Sequence, residues 1–366
     1  MIELKVNGVP YTDFVTAEVT ISLETLANDF AFRATAVDAF PPFKRGDFVV
    51  ATVNGETKCS GYIEEVNGID QEGSHTVLYS GRDKTGDFID SQINTINDIS
   101  ASGNLTLKRI IERVLSHINL NISVIDNLSP APFNEAEDVI SPEVGDECLD
   151  FVMQYAHKRQ ALLTSNGDGN IVITQSSPTD SGAVLQRLAS SDTNNILAQS
   201  WAIDGKAEYN KYILRGQLDP RATNFGGDTD IAAVENQGSE VANSSIRAGR
   251  QQVIVEGTGY SAGQLSDRAK WTSQLAKARA TRFNCTVKDH EKPNGGLWEE
   301  NTLVLINSDV ADISRKMLIN TITFSQQEGG SGQTASLEFV ERDVYTINEQ
   351  ILAQRKTGSQ NDIFTL

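Results

Sequence analysis

Short apolar runs and turn signals alternate along roughly the first ninety residues, which is the pattern of antiparallel β-structure. The tripeptide Val-Asn-Gly occurs three times, at Val6-Asn7-Gly8, Val53-Asn54-Gly55 and Val66-Asn67-Gly68. Asn-Gly predicts a two-residue hairpin turn at each, because both residues tolerate the positive φ of a type I′ turn. The flanks agree: FVVATV leads into the second turn, KCSGYIEEV leaves it, and HTVLYSG follows the third. In DFAFRATA, Phe30 and Phe32 fall on one face and Arg33 on the other. Many short strands with regular turns predict a small barrel, roll or sandwich.

The period changes near Asn104. In LTLKRIIERVLSHI, apolar residues fall at Leu107, Ile110, Ile111, Val114, Leu115 and Ile118. That spacing predicts a helix with one buried stripe. NISVI follows as a strand. A second helix starts at about Asp146, taken as its N-cap, with Leu149, Val152 and Ala156 on one face and Phe151 and Tyr155 beside them. QALLTSNGDGNIVITQ reads as a hairpin. Together these predict a two-layer α/β unit of about ninety residues.

Strand character returns at about Asn195, in KYILRGQ. Asp219 to Gly249 is rich in Gly, Asn, Asp and Ala and reads as a long loop. QQVIVEG predicts a strand and residues 263–282 a helix. LWEENTLVLINS, KMLINTITFSQQ and TASLEFVERDVY are hairpin-like, and the last stretch is polar. The expected domains are a first β-roll over 1–92, a two-layer α/β domain over 93–190, and a second β-roll from 191–218 and 283–346. Residues 219–282 form an inserted loop, strand and helix region, and 347–366 a C-terminal arm. The fold class is α+β and multidomain.

At about 150 residues per domain, 366 residues suit two to three domains. Hydrophobic residues at 39% and charged residues at 22% describe a globular chain. The net charge of −18 argues against tight winding on nucleic acid or docking on anionic lipid, both of which need a positive footprint. Cys59, Cys148 and Cys285 are too few and too scattered for a disulfide framework or a metal site. No run approaches the ~18 apolar residues of a membrane span. The opening MIELKVNGVPYTDF lacks a signal-like apolar core, so folding in a cytoplasm is expected.

Several motifs invite chemistry. Gly259-Tyr260-Ser261-Ala262-Gly263 matches the G-x-S-x-G elbow of serine hydrolases, with Asp267, Asp289 and His290 downstream. Antiparallel surroundings and the lack of an upstream oxyanion element favour a plain strand-to-helix turn. Gly257-Thr258-Gly259-Tyr260-Ser261-Ala262 matches a dinucleotide pattern, but Arg279 stands where its acid belongs. Asn166-Gly167-Asp168-Gly169-Asn170 resembles the start of a calcium loop, yet Ile171 and Ser177 occupy the positions that need Gly and Glu. His75, His117, His157 and His290 show no metal spacing, and the pairs Glu64-Glu65 and Glu299-Glu300 read as solvated strand edges. Arg268, Lys270, Lys277, Arg279 and Arg282 gather on one predicted helix, as a solvated face or as a contact for an acidic neighbouring subunit. No catalytic, cofactor-binding or metal-binding residue is assigned.

Three strings carry a resemblance. YSGRDKTGDFIDSQ is similar to the segment that closes the first β domain of phage baseplate hub proteins. SPEVGDECLDFVMQYAHKRQALLTSNGDGNIVIT resembles their α/β segment. NGGLWEENTLVLINSD, with KMLINTITFSQQEGGSGQTASLEFVERDVY, resembles their last domain through Leu297-Trp298, Asn301 and Thr323-Phe324-Ser325. The likeness is to hubs of Mu-like contractile-tailed phages and prophages. It implies two β-roll domains combined with α/β two-layer domains, and a homotrimer joining the tail tube to the central spike. It further implies a virion baseplate location, assembly in the host cytoplasm, no membrane anchoring, no cofactor and no catalytic residue. DNA would pass without specific binding, and an acidic inner wall would suit that passage. The competing reading is a β-rich hydrolase or carbohydrate-binding protein that uses the Ser261 turn.

Overall fold

The computed structural model describes residues 1–35, 43–71, 74–94, 99, 105–133, 140–176, 178–217, 230–235, 246–247, 249–258, 262–327 and 332–342. The chain begins with seven strands: β1 (Ile2–Val6), β2 (Val9–Tyr11), β3 (Phe14–Ser22), β4 (Asp29–Thr35), β5 (Phe48–Val53), β6 (Glu56–Gln71) and β7 (Ser74–Asp83). Two of the three Asn-Gly turns form as expected. Asn7 and Gly8 sit at φ 50° and 81°, and Asn54 and Gly55 at 48° and 85°. The third does not. Val66-Asn67-Gly68 lies inside β6, with Asn67 opposite Leu78 and Gly68 opposite Val77. A ladder running from Gly61↔Asp83 to Gln71↔Ser74 outweighs the local turn preference.

A one-turn helix α1 (Gly86–Ile89) leads to α2 (Leu107–His117), β8 (Val124–Asp126), α3 (Cys148–Lys158), β9 (Leu162–Ser165) and β10 (Ile171–Thr174). The Thr106 hydroxyl accepts from Arg109 N at 3.2 Å and caps α2, whose Leu107, Ile110, Ile111, Val114 and Leu115 are buried. Asp146 does not cap α3. The helix begins one residue later, after Glu147, and the Asp146 carboxylate instead accepts from Glu143 N at 2.8 Å. β8 runs parallel and β9 antiparallel to the central β10. The two helices and this sheet share one core, where the Phe133 and Phe151 rings flank Tyr155 at 5.4 and 5.2 Å.

The remainder comprises β11 (Thr179–Arg187), β12 (Ile196–Ile203), β13 (Lys211–Gln217), β14 (Asp230–Glu235), β15 (Gln251–Thr258), α4 (Ala262–Ala280), β16 (Thr281–Lys288), β17 (Thr302–Ser308), β18 (Ile313–Gln327) and β19 (Gln333–Glu341). The stretch 191–218 is divided. β12 pairs with β16, whereas β13 sits between β14 and β15 in a separate three-stranded sheet. There Tyr212 and Leu214 pack against Leu265 and Ala269 of α4. β11, grouped with the α/β unit in the sequence reading, pairs with β17. Within 219–282, residues 219–229 and 236–245 lie outside the described residues, as does the arm at 347–366.

The two β-rich regions meet in one 13-stranded sheet, with the path β12-β16-β19-β18-β3-β4-β7-β6-β5-β1-β2 and with β17 and then β11 branching from β18. β3 and β18 join them, paired from Ser22↔Thr321 to Thr16↔Gln327. One face of this sheet carries the main core, which includes Val19, Phe30, Phe283, Phe324, Leu337 and Phe339.

Candidate functional site

The opposite face is built from the alternate residues of the same strands. The eight-strand run from β12 to β6 presents Ser200, Asn284, Thr286, Ser336, Thr321, Thr323, Ser325, Thr20, Ser22, Ser80 and Asn67 on this side. Hydroxyls link across the junction. Thr20 Oγ1 lies 3.0 Å from Thr323 Oγ1, Ser22 Oγ lies 3.0 Å from Thr321 Oγ1, and Ser325 Oγ donates to Glu18 Oε1 at 3.4 Å. Small side chains that satisfy one another leave a polar surface with few long cationic arms.

Charge on this face is balanced. By register it carries Glu18, Asp29, Glu65 and Glu338 against Arg33, Arg82, Arg282 and Lys288. Arg282 Nη1 donates to Glu338 Oε1 at 3.0 Å. Burial pushes the Glu338 carboxyl up, opposed by Arg282. Burial likewise raises Asp29, opposed by Arg82. The −18 of the chain is therefore not concentrated on this face.

At one end of the wall, Gly81-Arg82-Asp83 ties the β sheet to the α/β unit. The Arg82 guanidinium grips Glu64 through Nε and Nη2, both at 2.8 Å, and reaches Asp90 Oδ1 at 3.2 Å. Asp83, 2% exposed, accepts from Asn28 N at 2.9 Å, from Thr85 N at 2.9 Å, from Thr85 Oγ1 at 2.5 Å and from Ser165 Oγ. A Cβ on Gly81 would lie 1.9 Å from the Tyr62 carbonyl oxygen, so only glycine fits between the strands. A Cβ on Gly167 would lie 1.9 Å from Thr57 O, which places the tip of the β9–β10 hairpin directly against β6.

The chemical motifs resolve differently. Gly259, Tyr260 and Ser261 lie outside the described residues, and so does the side chain of Asp267. His290 is 1% exposed; its Nε2 is 2.9 Å from Ser325 O, and burial lowers its pKa. After α4 the chain enters β16, antiparallel to both β12 and β19, so the glycine pattern is not followed by the parallel strand of a dinucleotide fold. Asn166 Oδ1 accepts from Asp168 N at 3.2 Å and Asn170 N at 2.9 Å, which commits the supposed calcium loop to a hairpin turn. No group of three or more metal-binding side chains occurs among the described residues. Glu64 turns to Arg82 at a bulge, and Glu299, in the loop before β17, faces Lys292 at 3.6 Å.

The basic cluster is also revised. Arg282 belongs to β16, and Arg279 pairs with Glu24 of its own chain at 3.0 Å. Arg268 stacks 4.8 Å over Trp271 and lies 3.3 Å from His157 Nδ1. Burial, and after it Arg268, push the His157 pKa down to about 4. Arg268 and Arg279 thus tie α4 to other parts of its own chain. A cleft of about 900 Å³ lies beside Met1, Asn54, His290 and Trp298, on the core side of the sheet. The Met1 ammonium donates to Asn54 Oδ1 and to Gln333 Oε1. The polar wall was missed from the sequence. Its local signal was the alternation Thr321-Ile322-Thr323-Phe324-Ser325.

Residues 1–83 match the family described as "Mu phage baseplate assembly protein GpP-like, N-terminal", and residues 261–347 match "Mu phage baseplate assembly protein GpP, fourth domain". The baseplate hub protein gp44 of Escherichia phage Mu is 21% identical over 338 residues, covering 90% of this chain and 85% of that protein. Both ends of the chain thus match Mu phage baseplate domains, and nearly the whole chain is similar to a Mu-like baseplate hub protein. The 43 kDa tail protein of prophage MuSo2 from Shewanella oneidensis is 27% identical, with a TM-score of 0.77 over 95% of this chain and 99% of that one. A tail protein from Neisseria meningitidis MC58 shares the fold at 14% identity, with a TM-score of 0.74 over 94% and 97% of the two chains. These similarities indicate a structural protein of a phage tail or baseplate. Its GRD knot lies within the first matched segment at 1–83, and β18 and β19 lie within the second.

Proposed function

We propose that three copies of this hub close into a ring at the base of the tail, joining the tail tube to the central spike, with the polar sheet face turned to the bore. The observation that carries the reading is that face. Eight antiparallel strands from both ends of the chain form one wall of hydroxyls and paired charges. A duplex sliding past finds no run of unpaired Lys or Arg to hold its phosphates. Three such walls make about 24 strands, and at about 4.8 Å per strand the circumference is about 115 Å. Side chains reduce the resulting bore to about 25 Å, room for DNA without specific contacts.

The partners in this reading are a tail-tube protein above and a spike protein below. The hub acts in the virion after assembly in the host cytoplasm, with no membrane anchor. It performs no catalysis, and Ser261 is not a nucleophile. Sedimentation at micromolar concentration, alone and with the spike, tests the assembly. A mass three times the 39.9 kDa of the chain is expected. A clean monomer in both samples refutes the ring.

A further inference from the structure

The end of α3 meets α4 at three side chains. His157, in the last turn of α3, puts its Nδ1 3.3 Å from Arg268 Nη2, and its ring centre lies 5.5 Å from that of Trp271. Arg268 lies 4.8 Å over Trp271, which packs with Leu162, Leu303 and Leu318. A guanidinium only donates, so the contact needs His157 Nδ1 as a bare acceptor and the ring neutral.

A proton on Nδ1 reverses this contact. The hydrogen bond becomes two donors and two cations facing one another. Little around the ring compensates. Arg268 is the charged group that acts on it among the described residues, and no carboxylate among them does. Lys158, the next residue of α3, has the same sign. The C-terminal dipole of α3 favours a cation here. Burial and then Arg268 outweigh it, and hold the His157 pKa down at about 4.

We infer that His157 and Arg268 form an acid-released latch: protonation of His157 parts the end of α3 from α4, while the α/β unit stays on the first strands of the chain. The two helices belong to different units. α4 carries the β13–β15 sheet, through Leu265 and Ala269 packed on Tyr212 and Leu214. The α/β unit has its own ties to the first strands. Ser165 bonds Asp83, Asp90 pairs with Arg82, and the tip of the β9–β10 hairpin abuts Thr57 O. None of these uses His157, so opening the latch separates the two helices without dissolving either unit.

The direction with pH follows from the ring. It is neutral when latched and regains its ordinary pKa of about 6.5 when released. The latch is therefore whole above about pH 6.5 and weakens as pH falls toward 4. Between pH 7.5 and pH 5 the balance shifts toward release by about 30-fold. Carboxylates of ordinary pKa stay charged at pH 5, so the shift is confined to this contact. The latch lies within one subunit, and its test does not depend on the ring.

Hydrogen exchange of the full chain at pH 7.5 and pH 5, corrected for intrinsic exchange rates, reads the opening. Segments spanning the end of α3 and the first half of α4 should lose up to about 30-fold in protection. Segments spanning β6, β7 and Ser165 should not change. His157→Gln, neutral at both pH values, should abolish the local difference. Loss spread evenly over the chain, or the same local loss in His157→Gln, overturns the latch. Should that variant fold poorly, nuclear magnetic resonance titration of the histidine rings decides, with Arg268→Met as the second variant. His157 should stay neutral at pH 5 in the unaltered chain and titrate closer to 6.5 once the facing cation is gone. A His157 that titrates near 6.5 in the folded, unaltered chain, or that ignores the loss of Arg268, overturns the proposal.

Discussion

Asp83 accepts four hydrogen bonds from three segments of chain, and its partners Asn28 and Ser165 lie 55 and 82 residues away in sequence. Replacing it with alanine strands these buried donors, so Asp83→Ala should lower stability by about 3 kcal/mol, read as a denaturant midpoint. The Gly-Arg-Asp string stood out in the sequence, but its work as a knot could not be read there, because the groups it binds are remote. His157 gives a second residue-scale expectation. Its folded pKa of about 4 lies below the ordinary 6.5, so the folded state holds the ring neutral. Its contribution is fully present above about pH 6.5 and is lost as pH falls toward 4, amounting to about 3 kcal/mol. His157→Gln should flatten the stability–pH curve in that window relative to the unaltered chain. A curve as steep as before would show that other groups carry the acid sensitivity. Ser261, the most chemical-looking residue of the sequence, has no described partner to argue from.

Elements set by local period were legible. α2 follows from its 3.6-residue stripe and Thr106 cap, and Thr106→Ala should cost about 1 kcal/mol in thermal unfolding. The Val-Asn-Gly strings show where locality ends. At Gly55, φ is 85° in a turn, whereas Gly68 sits within a strand with open space around its Cα. Gly55→Ala should therefore cost about 1 kcal/mol, and Gly68→Ala close to nothing. Equal losses at the two sites would contradict the strand assignment of β6. Nothing in residues 66–68 distinguishes them from 53–55; the difference lies in β7, which offers partners as far as Gln71. The same limit applies to Arg279 and Arg282. Their positive charge was visible, but Glu24 and Glu338, which hold them, come from a distant loop and a distant strand.

For the whole molecule, the two β-rich ends were recognisable as separate pieces, and their union was not. β3 and β18 are joined by register across about three hundred residues, and only that union turns ordinary strand alternation into one polar wall. The wall carries balanced charge, so the excess behind the −18 is borne by other parts of the chain. Like-charged subunits repel over distances that salt screens. The trimer should therefore tighten as ionic strength rises from about 0.02 to about 0.3 M, followed by sedimentation equilibrium; weakening with salt would mean that ion pairs hold the ring. The central claim is that this wall faces a bore. Electron cryomicroscopy of the assembled oligomer, with its spike if required, tests it most directly. The account predicts a threefold ring whose inner surface carries Thr20, Thr323, Ser336 and Asn284. A ring with those residues turned to the outside, or a bore lined by rows of unpaired Lys and Arg, would contradict it.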